Sequence, residues 1–523
     1  MTPPRPHARL WFSAVFVLVT IFWTFDLARL HTGVPHPLDD VWEYGVTARH
    51  LLAGDGFRTS VLHPPLWGLR DAALTVPVLV HGPLVPLLFA PLLALLGAGA
   101  LDHVAWLSAL FALLTALLLF RVGTRHFGPA VGAAAAMLFT LAPLTVRAVH
   151  HDVSALAGAF LMFLVFDLLA RERPHHTAAA IVLGLGTLVR PEMPLALAGL
   201  SMLAGGMGTV TLLLGIVAVS GAWWWHNWRV TGSPFFNLSS YLLVGYSERW
   251  PGISVLRDFA LTPARWPGVL AEQTPGLPQK AVRCLPYAVK RALLTPSDLT
   301  GWLAAVGFFV SVARASTRWI AVAAFVCALV PVAVMSVMVR NTRYLVPFLA
   351  LWALSGAVGA EWLWSRIPRV GRSRAWLLLL ALLVLPSTVS ELRAGAREAG
   401  ALRIRLAAER AALASRVTPE AALPRVTALG IEPRAGTSRK APRLMFSDTP
   451  DFVAWTTGRP TVWMTRWEYD RLPTPTAARS TGAAPRDSRP DRRMTPGAKL
   501  PVEPQSLPSR GGPEDTWFAE GLR

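Results

Sequence analysis

Two adjacent carboxylates, Asp39 and Asp40, follow the first apolar run of the chain and precede Trp42-Glu43-Tyr44 and then Ala48, Leu51, Leu52, Gly54, Gly56 and Phe57. Tyr44, Ala48, Leu51 and Leu52 share one face at helical spacing, and the two glycines end the helix. The aspartates stand at its amino end, where the helix dipole favours negative charge. A plain N-cap accounts for one of them; a carboxylate within reach of a hydroxyl is also a general base. Much later, Arg340 and Arg343 occupy a short turn beside Tyr344, and Arg190 and Glu192 flank Pro191 in another. A guanidinium fork suits phosphate oxygens. The competing role for Arg340 and Arg343 is snorkelling to lipid headgroups, and for Arg190 and Glu192 a mutual ion pair. Asp152, after His150 and His151, is suited either to metal ligation with Asp39 or to a hydrogen bond with the first loop, where His63 and His81 add further polar side chains.

The composition says what must carry these groups. Of 523 residues, 53% are hydrophobic and 15% charged, against roughly 25% charged in soluble chains. The apolar residues come in blocks separated by short arginine-bearing gaps, which excludes a soluble globule and predicts an all-α polytopic membrane protein with about eleven transmembrane helices. The runs fall at 10–27, 101–120, 129–146, 154–170, 177–190, 193–205, 208–226, 299–313, 319–339, 344–364 and 375–391. Every second short gap is basic: Arg121 and Arg125; Arg171 and Arg173; Arg314 and Arg318; then Arg366, Arg369, Arg372 and Arg374. The positive-inside bias makes those gaps cytoplasmic. As a span, the run 74–96 would invert that bias, so it reads as an interfacial or re-entrant helix on the outer side, in keeping with Pro77, Pro83, Pro86 and Pro91.

The net charge of +19 sits beside apolar spans rather than on one basic face, so membrane lipids and not nucleic acid are the expected partners. Cys284 and Cys327 lie in different surroundings, which excludes a stapled scaffold or a thiolate metal site. Residues 1–391 are read as the transmembrane body, with outer loops 30–99 and 229–298. Residues 392–471 read as a small extracytoplasmic α/β domain: an amphipathic stretch to Val417, strands near Arg443–Ser447 and Pro460–Met464, and a helix at Asp451–Thr457 between them. Residues 472–523, rich in Pro, Arg, Ser and Thr, read as a disordered tail. Trp223, Trp224, Trp225 and Trp228 end a span, as an interfacial aromatic belt does.

The Asp39-Asp40…Tyr44…Ala48…Leu52…Gly54…Gly56-Phe57 run resembles the first extracytoplasmic loop of the GT-C glycosyltransferases, the class that includes protein O-mannosyltransferases and lipid A aminoarabinose transferases. Further pieces resemble that class in order: His81-Gly82-Pro83-Leu84-Val85-Pro86-Leu87, Gly123-Thr124-Arg125-His126-Phe127-Gly128, His150-His151-Asp152-Val153-Ser154, Thr187-Leu188-Val189-Arg190-Pro191-Glu192, Trp225-His226-Asn227-Trp228 and Arg343-Tyr344-Leu345-Val346-Pro347. The resemblance implies transfer of a hexosyl or pentosyl group from a polyprenyl-phosphate carrier to a lipid, glycan or protein acceptor on the outer face of the inner membrane. It also implies an acidic first-loop residue that acts as base or metal ligand, which by position is Asp39 or Asp40; Asp39 is preferred. Arg343, with Arg340, Tyr344 and Arg190, is the expected phosphate-binding set, and Asp152, Glu192 and His81 the supporting one. Inversion is expected, because one displacement opposite the phosphate suffices. Of cofactors, only a divalent cation is considered, for which the carboxylates are suited, although Asp39, Asp40 and Asp152 do not complete a ligand set. The rival readings are a transporter or flippase, and a non-catalytic subunit of envelope polysaccharide assembly.

Overall fold

The computed structural model describes residues 40–97, 100, 103–247, 250, 253–259, 261–294, 298–367, 376–394, 445–447 and 461–463. All of them belong to one unit, Met1–Val417 with Gly436–Arg466. The apolar run 10–27, Asp39, the helix expected at Asp451–Thr457, nearly all of the amphipathic stretch after Glu391 and the tail 472–523 lie outside the described residues.

The apolar blocks form helices. After α1 (Val41–Leu52) comes α2 (Leu84–Leu96), then α3 (Val104–Phe127), α4 (Pro129–Thr140), α5 (Pro143–His151), α6 (Val153–Leu169), α7 (His176–Val189) and α8 (Leu197–Thr231). The chain continues through α9 (Trp266–Gln273), α10 (Leu277–Leu294), α11 (Asp298–Ala313), α12 (Arg318–Val337) and α13 (Leu349–Ser365) to α14 (Trp376–Ala394). Starts and stops follow local chemistry. Pro129 and Pro143 occupy first helical turns, where their missing N–H is harmless. α7 ends at Val189, and its C-cap Arg190, the residue before Pro191, is extended, the conformation a following proline favours.

Among the described residues, five helices are long and apolar enough to cross a membrane, or up to seven if each bent pair is one span; α2, α6 and α7 are shorter apolar helices. The expected eleven include the run 10–27, which lies outside the described residues, and the runs that form the shorter helices α6 and α7. The runs 193–205 and 208–226 form one element, Met193–Thr231, because Gly205, at φ +67°, kinks the helix without a polar stretch to end it. The run 129–146 becomes α4 and α5, bent by 52° between them. Within 74–96 only the 13 residues of α2 are helical, about 20 Å, which falls short of a bilayer core of about 30 Å.

Short strands brace the first loop. β1 (Arg58–Thr59) pairs antiparallel with β3 (Val76–Pro77), and β2 (Val61–Leu62) pairs parallel with β5 (Thr461–Trp463), which also pairs with β4 (Met445–Ser447). The two strands expected in the region 392–471 are thus present, and one of them is joined to the first loop rather than to that region alone. α1 is fixed by its buried face: Val41, Trp42, Tyr44, Val46 and Ala48 pack with Val85 and Phe89 of α2, Val104 of α3, Val153 and Ala157 of α6 and Val189 of α7. Each fully buried large apolar side chain contributes about 1.5–3 kcal/mol, enough to fix the amino end of α1 against the ends of α6 and α7.

Candidate active site

The charged side chains meet where α1, α6 and α13 begin and α7 ends. Asp40 occupies the cap position of α1, but its carboxylate caps nothing. Instead Oδ2 accepts from Arg343 Nη1 at 2.9 Å, across 303 positions of sequence. Asp40 Oδ1 lies 3.7 Å from His81 Nε2. That same nitrogen lies 3.2 Å from Glu43 Oε2, which His63 Nε2 approaches to 3.4 Å from the other side. The His81 ring stands edge-on to Tyr44, whose hydroxyl is 3.5 Å from Nδ1.

A second group adjoins the first. Arg190 donates from Nε to Glu192 at 2.6 Å and from Nη1 to Ser154 Oγ at 3.2 Å, and Nη1 lies 3.5 Å from Asp152 Oδ2. Asp152 also caps α6, accepting from Ala155 N at 2.8 Å, and takes the Ser154 hydroxyl at 2.7 Å. The Tyr344 ring stands between the arginines, 5.2 Å from the Arg190 guanidinium carbon and 5.8 Å from that of Arg343.

Local backbone explains the convergence. Gly82 lets the His81 segment lie on the end of α7, since a Cβ there would overlap the Leu188 carbonyl. The backbone just before it is held from the second loop: Leu238 N donates to Leu79 O at 2.7 Å and Asn237 Nδ2 to Val80 O at 3.0 Å. β2 delivers His63, and Asn341 accepts from Arg343 N at 3.0 Å to open the 3-10 turn Thr342–Phe348.

The electrostatics follow from these contacts. Burial alone would raise the Asp40 carboxyl, yet Arg343 and then His81 hold it below the usual carboxylate range. Burial likewise opposes ionisation of Glu43, but His63 and His81 bring it down to about 2. His81 is pushed the other way: against its burial, Asp40 and the Glu43 hydrogen bond raise it above the ordinary imidazole value. At neutral pH both carboxylates are ionised, and Tyr44, raised by burial and by Asp40, is a neutral phenol.

Of the residues singled out by sequence, the structure brings together Asp40, Arg343, Tyr344, Arg190, Asp152, Glu192 and His81. Arg340 is elsewhere: its Nη2 donates to Cys284 Sγ at 3.4 Å and its guanidinium lies over Tyr287. Among the described residues Asp152 caps its own helix and pairs with Arg190, and the neighbouring Ser154 faces the Tyr44 hydroxyl; Asp39, its expected metal-binding companion, lies outside the described residues. The role of Glu43 was missed, although its spacing from Asp40 on a helix start put the two on one side. Its Oε1 is buried without a hydrogen-bond partner among the described residues. Also among the described residues, no three His, Cys, Asp or Glu side chains are arranged to hold a metal ion; the carboxylates of Asp40, Glu43, Asp152 and Glu192 face guanidinium or imidazole instead.

No protein-family model matches the chain, and no curated protein sequence does. Among solved structures, the Archaeoglobus fulgidus oligosaccharyltransferase in its apo form matches with a TM-score of 0.52 and 14% identity, over 88% of this chain and 66% of that one. The same enzyme in complex with Zn and sulfate gives 0.51 at 14% identity, over 88% and 64%. ArnT from Cupriavidus metallidurans bound to undecaprenyl phosphate aligns at 0.49 and 14% identity, over 88% and 87%. Identity this low speaks for the fold alone, and that fold is shared with the archaeal oligosaccharyltransferase.

Proposed function

We propose that the protein is a membrane glycosyltransferase that moves a sugar from a polyprenyl-phosphate donor to a lipid, glycan or protein acceptor at the extracytoplasmic face of the inner membrane. The observation that carries this reading is the Asp40–Arg343 contact, which puts a carboxylate held ionised and a guanidinium suited to phosphate in one site. The acceptor oxygen attacks the anomeric carbon, the bond from that carbon to the phosphate oxygen breaks, and the acceptor proton passes to the first-loop carboxylate. No strong general acid is needed, because the departing phosphate monoester carries its own charge to Arg343. In the free enzyme those two groups neutralise each other. Donor binding exchanges the guanidinium from Asp40 to phosphate and thereby releases Oδ2 as proton acceptor. A single displacement inverts the anomeric centre.

Arg190, enclosed by Glu192, Asp152 and Ser154, supports the wall behind Tyr344 rather than facing a ligand directly. A transporter would place ionisable groups in the middle of broken spans; here Asp40 and Asp152 precede helices, Arg190 follows one and Arg343 lies in the turn before α13. The deciding experiment offers the purified protein a panel of polyprenyl-phosphate glycosides and follows donor consumption. Release of polyprenyl phosphate from one of them supports the reading, and an untouched panel with the fold intact ends it.

A further inference from the structure

α10 presents Lys280, Cys284 and Tyr287 at helical spacing to the segment that leaves α12. Lys280 Nζ reaches four backbone carbonyls: Leu242 at 2.9 Å, Leu243 at 2.8 Å, Gly245 at 2.8 Å and Met338 at 3.3 Å. Leu242 and Leu243 end the 3-10 turn Leu238–Leu243, and Met338 caps the carboxyl end of α12. One ammonium thus meets the carbonyls of two helix ends, which lack partners within their own helices and carry the negative pole of the dipole. Tyr246, beside the cage, sits at φ +55°, a conformation rare for a residue with a side chain, so the loop is held in this shape rather than resting in it. One and two turns on, Cys284 Sγ accepts from Arg340, and the Tyr287 hydroxyl donates to the Arg340 carbonyl at 3.3 Å. Three residues beyond Arg340 is Arg343.

We propose that Lys280 is a positioning residue for the donor: by clamping the Met338–Arg340 backbone to the second loop it sets the turn from which Arg343 reaches Asp40 and the donor phosphate. The inference rests on the reading of Arg343 as the phosphate ligand. It assigns a task to α10 that the reacting groups do not perform, because Lys280 donates to backbone carbonyls and acts through the turn.

The test is a double-mutant cycle on the purified full-length chain, with donor KM and kcat measured for wild type, Lys280→Met, Arg343→Ala and the double variant. Lys280→Met should raise donor KM on the order of ten-fold, as misplacement of a binding group does, and leave kcat at saturating donor near wild type. In the Arg343→Ala background it should add nothing, since a residue that acts through Arg343 has nothing left to position. Multiplying effects, or a normal KM in Lys280→Met beside a raised one in Arg343→Ala, would overturn the inference and leave the donor reading standing. If Arg343→Ala itself leaves KM unchanged, the donor reading falls and takes the inference with it. Should Lys280→Met not fold, Tyr287→Phe removes only the bond to the Arg340 carbonyl; it must raise KM in the same direction for the inference to survive.

Discussion

Asp40 and Arg343 stand 303 residues apart and meet at 2.9 Å, one just before α1 and the other in the turn before α13. Neither is exposed enough to be a casual surface pair, with side chains 24% and 30% accessible. Each is therefore a resting partner of the other, with His81 also 3.7 Å from Asp40.

Asp40→Asn should lower sugar transfer from a polyprenyl-phosphate donor by about 10²–10⁴-fold, the usual size of a general-base contribution, while melting within a few degrees of wild type. Asp39→Asn, assayed in parallel with radiolabelled donor, decides which carboxylate takes the proton. If Asp40→Asn turns over normally and Asp39→Asn does not, the base is Asp39.

Arg343→Ala should weaken binding of donor lipid by about 2–5 kcal/mol, because it leaves one charge of a partly buried pair unmatched. Titration of polyprenyl phosphate against purified wild type and variant measures this directly; equal affinities would remove Arg343 from the phosphate site.

Two of the pKa shifts in the first loop bracket stability. Glu43, at about 2 in the fold against an ordinary 4.5, contributes stability that is present above pH 4.5 and lost as the pH falls toward 2. His81, raised above 6.5, contributes stability that is complete below pH 6.5 and lost as the pH rises through its folded value. Melting temperature should therefore fall on both flanks. His81→Asn should flatten the alkaline flank and, because His81 is one of the two imidazoles that lower Glu43, shrink the acid flank as well; an alkaline flank unchanged in that variant would refute the assignment.

Asp167 is fully buried and joins Arg125 at 2.9 Å to Arg171 at 2.6 Å, tying α3 to the end of α6. Asp167→Asn should cost about 3–5 kcal/mol, as breaking a buried ion pair does, and should lower the melting temperature in detergent without altering donor KM. A loss below about 1 kcal/mol would place the pair with weak surface ion pairs.

Gly82→Ala is expected to damage activity more than its single methyl suggests. A Cβ at that position meets the Leu188 carbonyl, so the His81 segment must lift off α7 and carry the imidazole away from Asp40 and Glu43. Transfer assays at several pH values should show lower activity and, if His81 moves, a changed pH profile; wild-type kinetics would mean that α7 yields instead.

A helical membrane body was legible in the residues alone. Composition, apolar run length and the ends of helices at Pro129 and Pro191 are local properties, and local physics decides them; the break before Pro143, inside the run 129–146, was not read. Asp40, Arg343, Tyr344, Arg190, Asp152, Glu192 and His81 were legible too, since ionisable residues at the edges of apolar spans are rare enough to stand out. That Arg340 turns to Cys284 while Arg343 turns to Asp40 was not, because both sit in one short turn and only the packing of α10 against that turn separates them. Nor was Glu43 clasped by two histidines, or Lys280 among four carbonyls. Those contacts join residues tens to hundreds of positions apart, and long-range burial alone fixes which partner each charge receives.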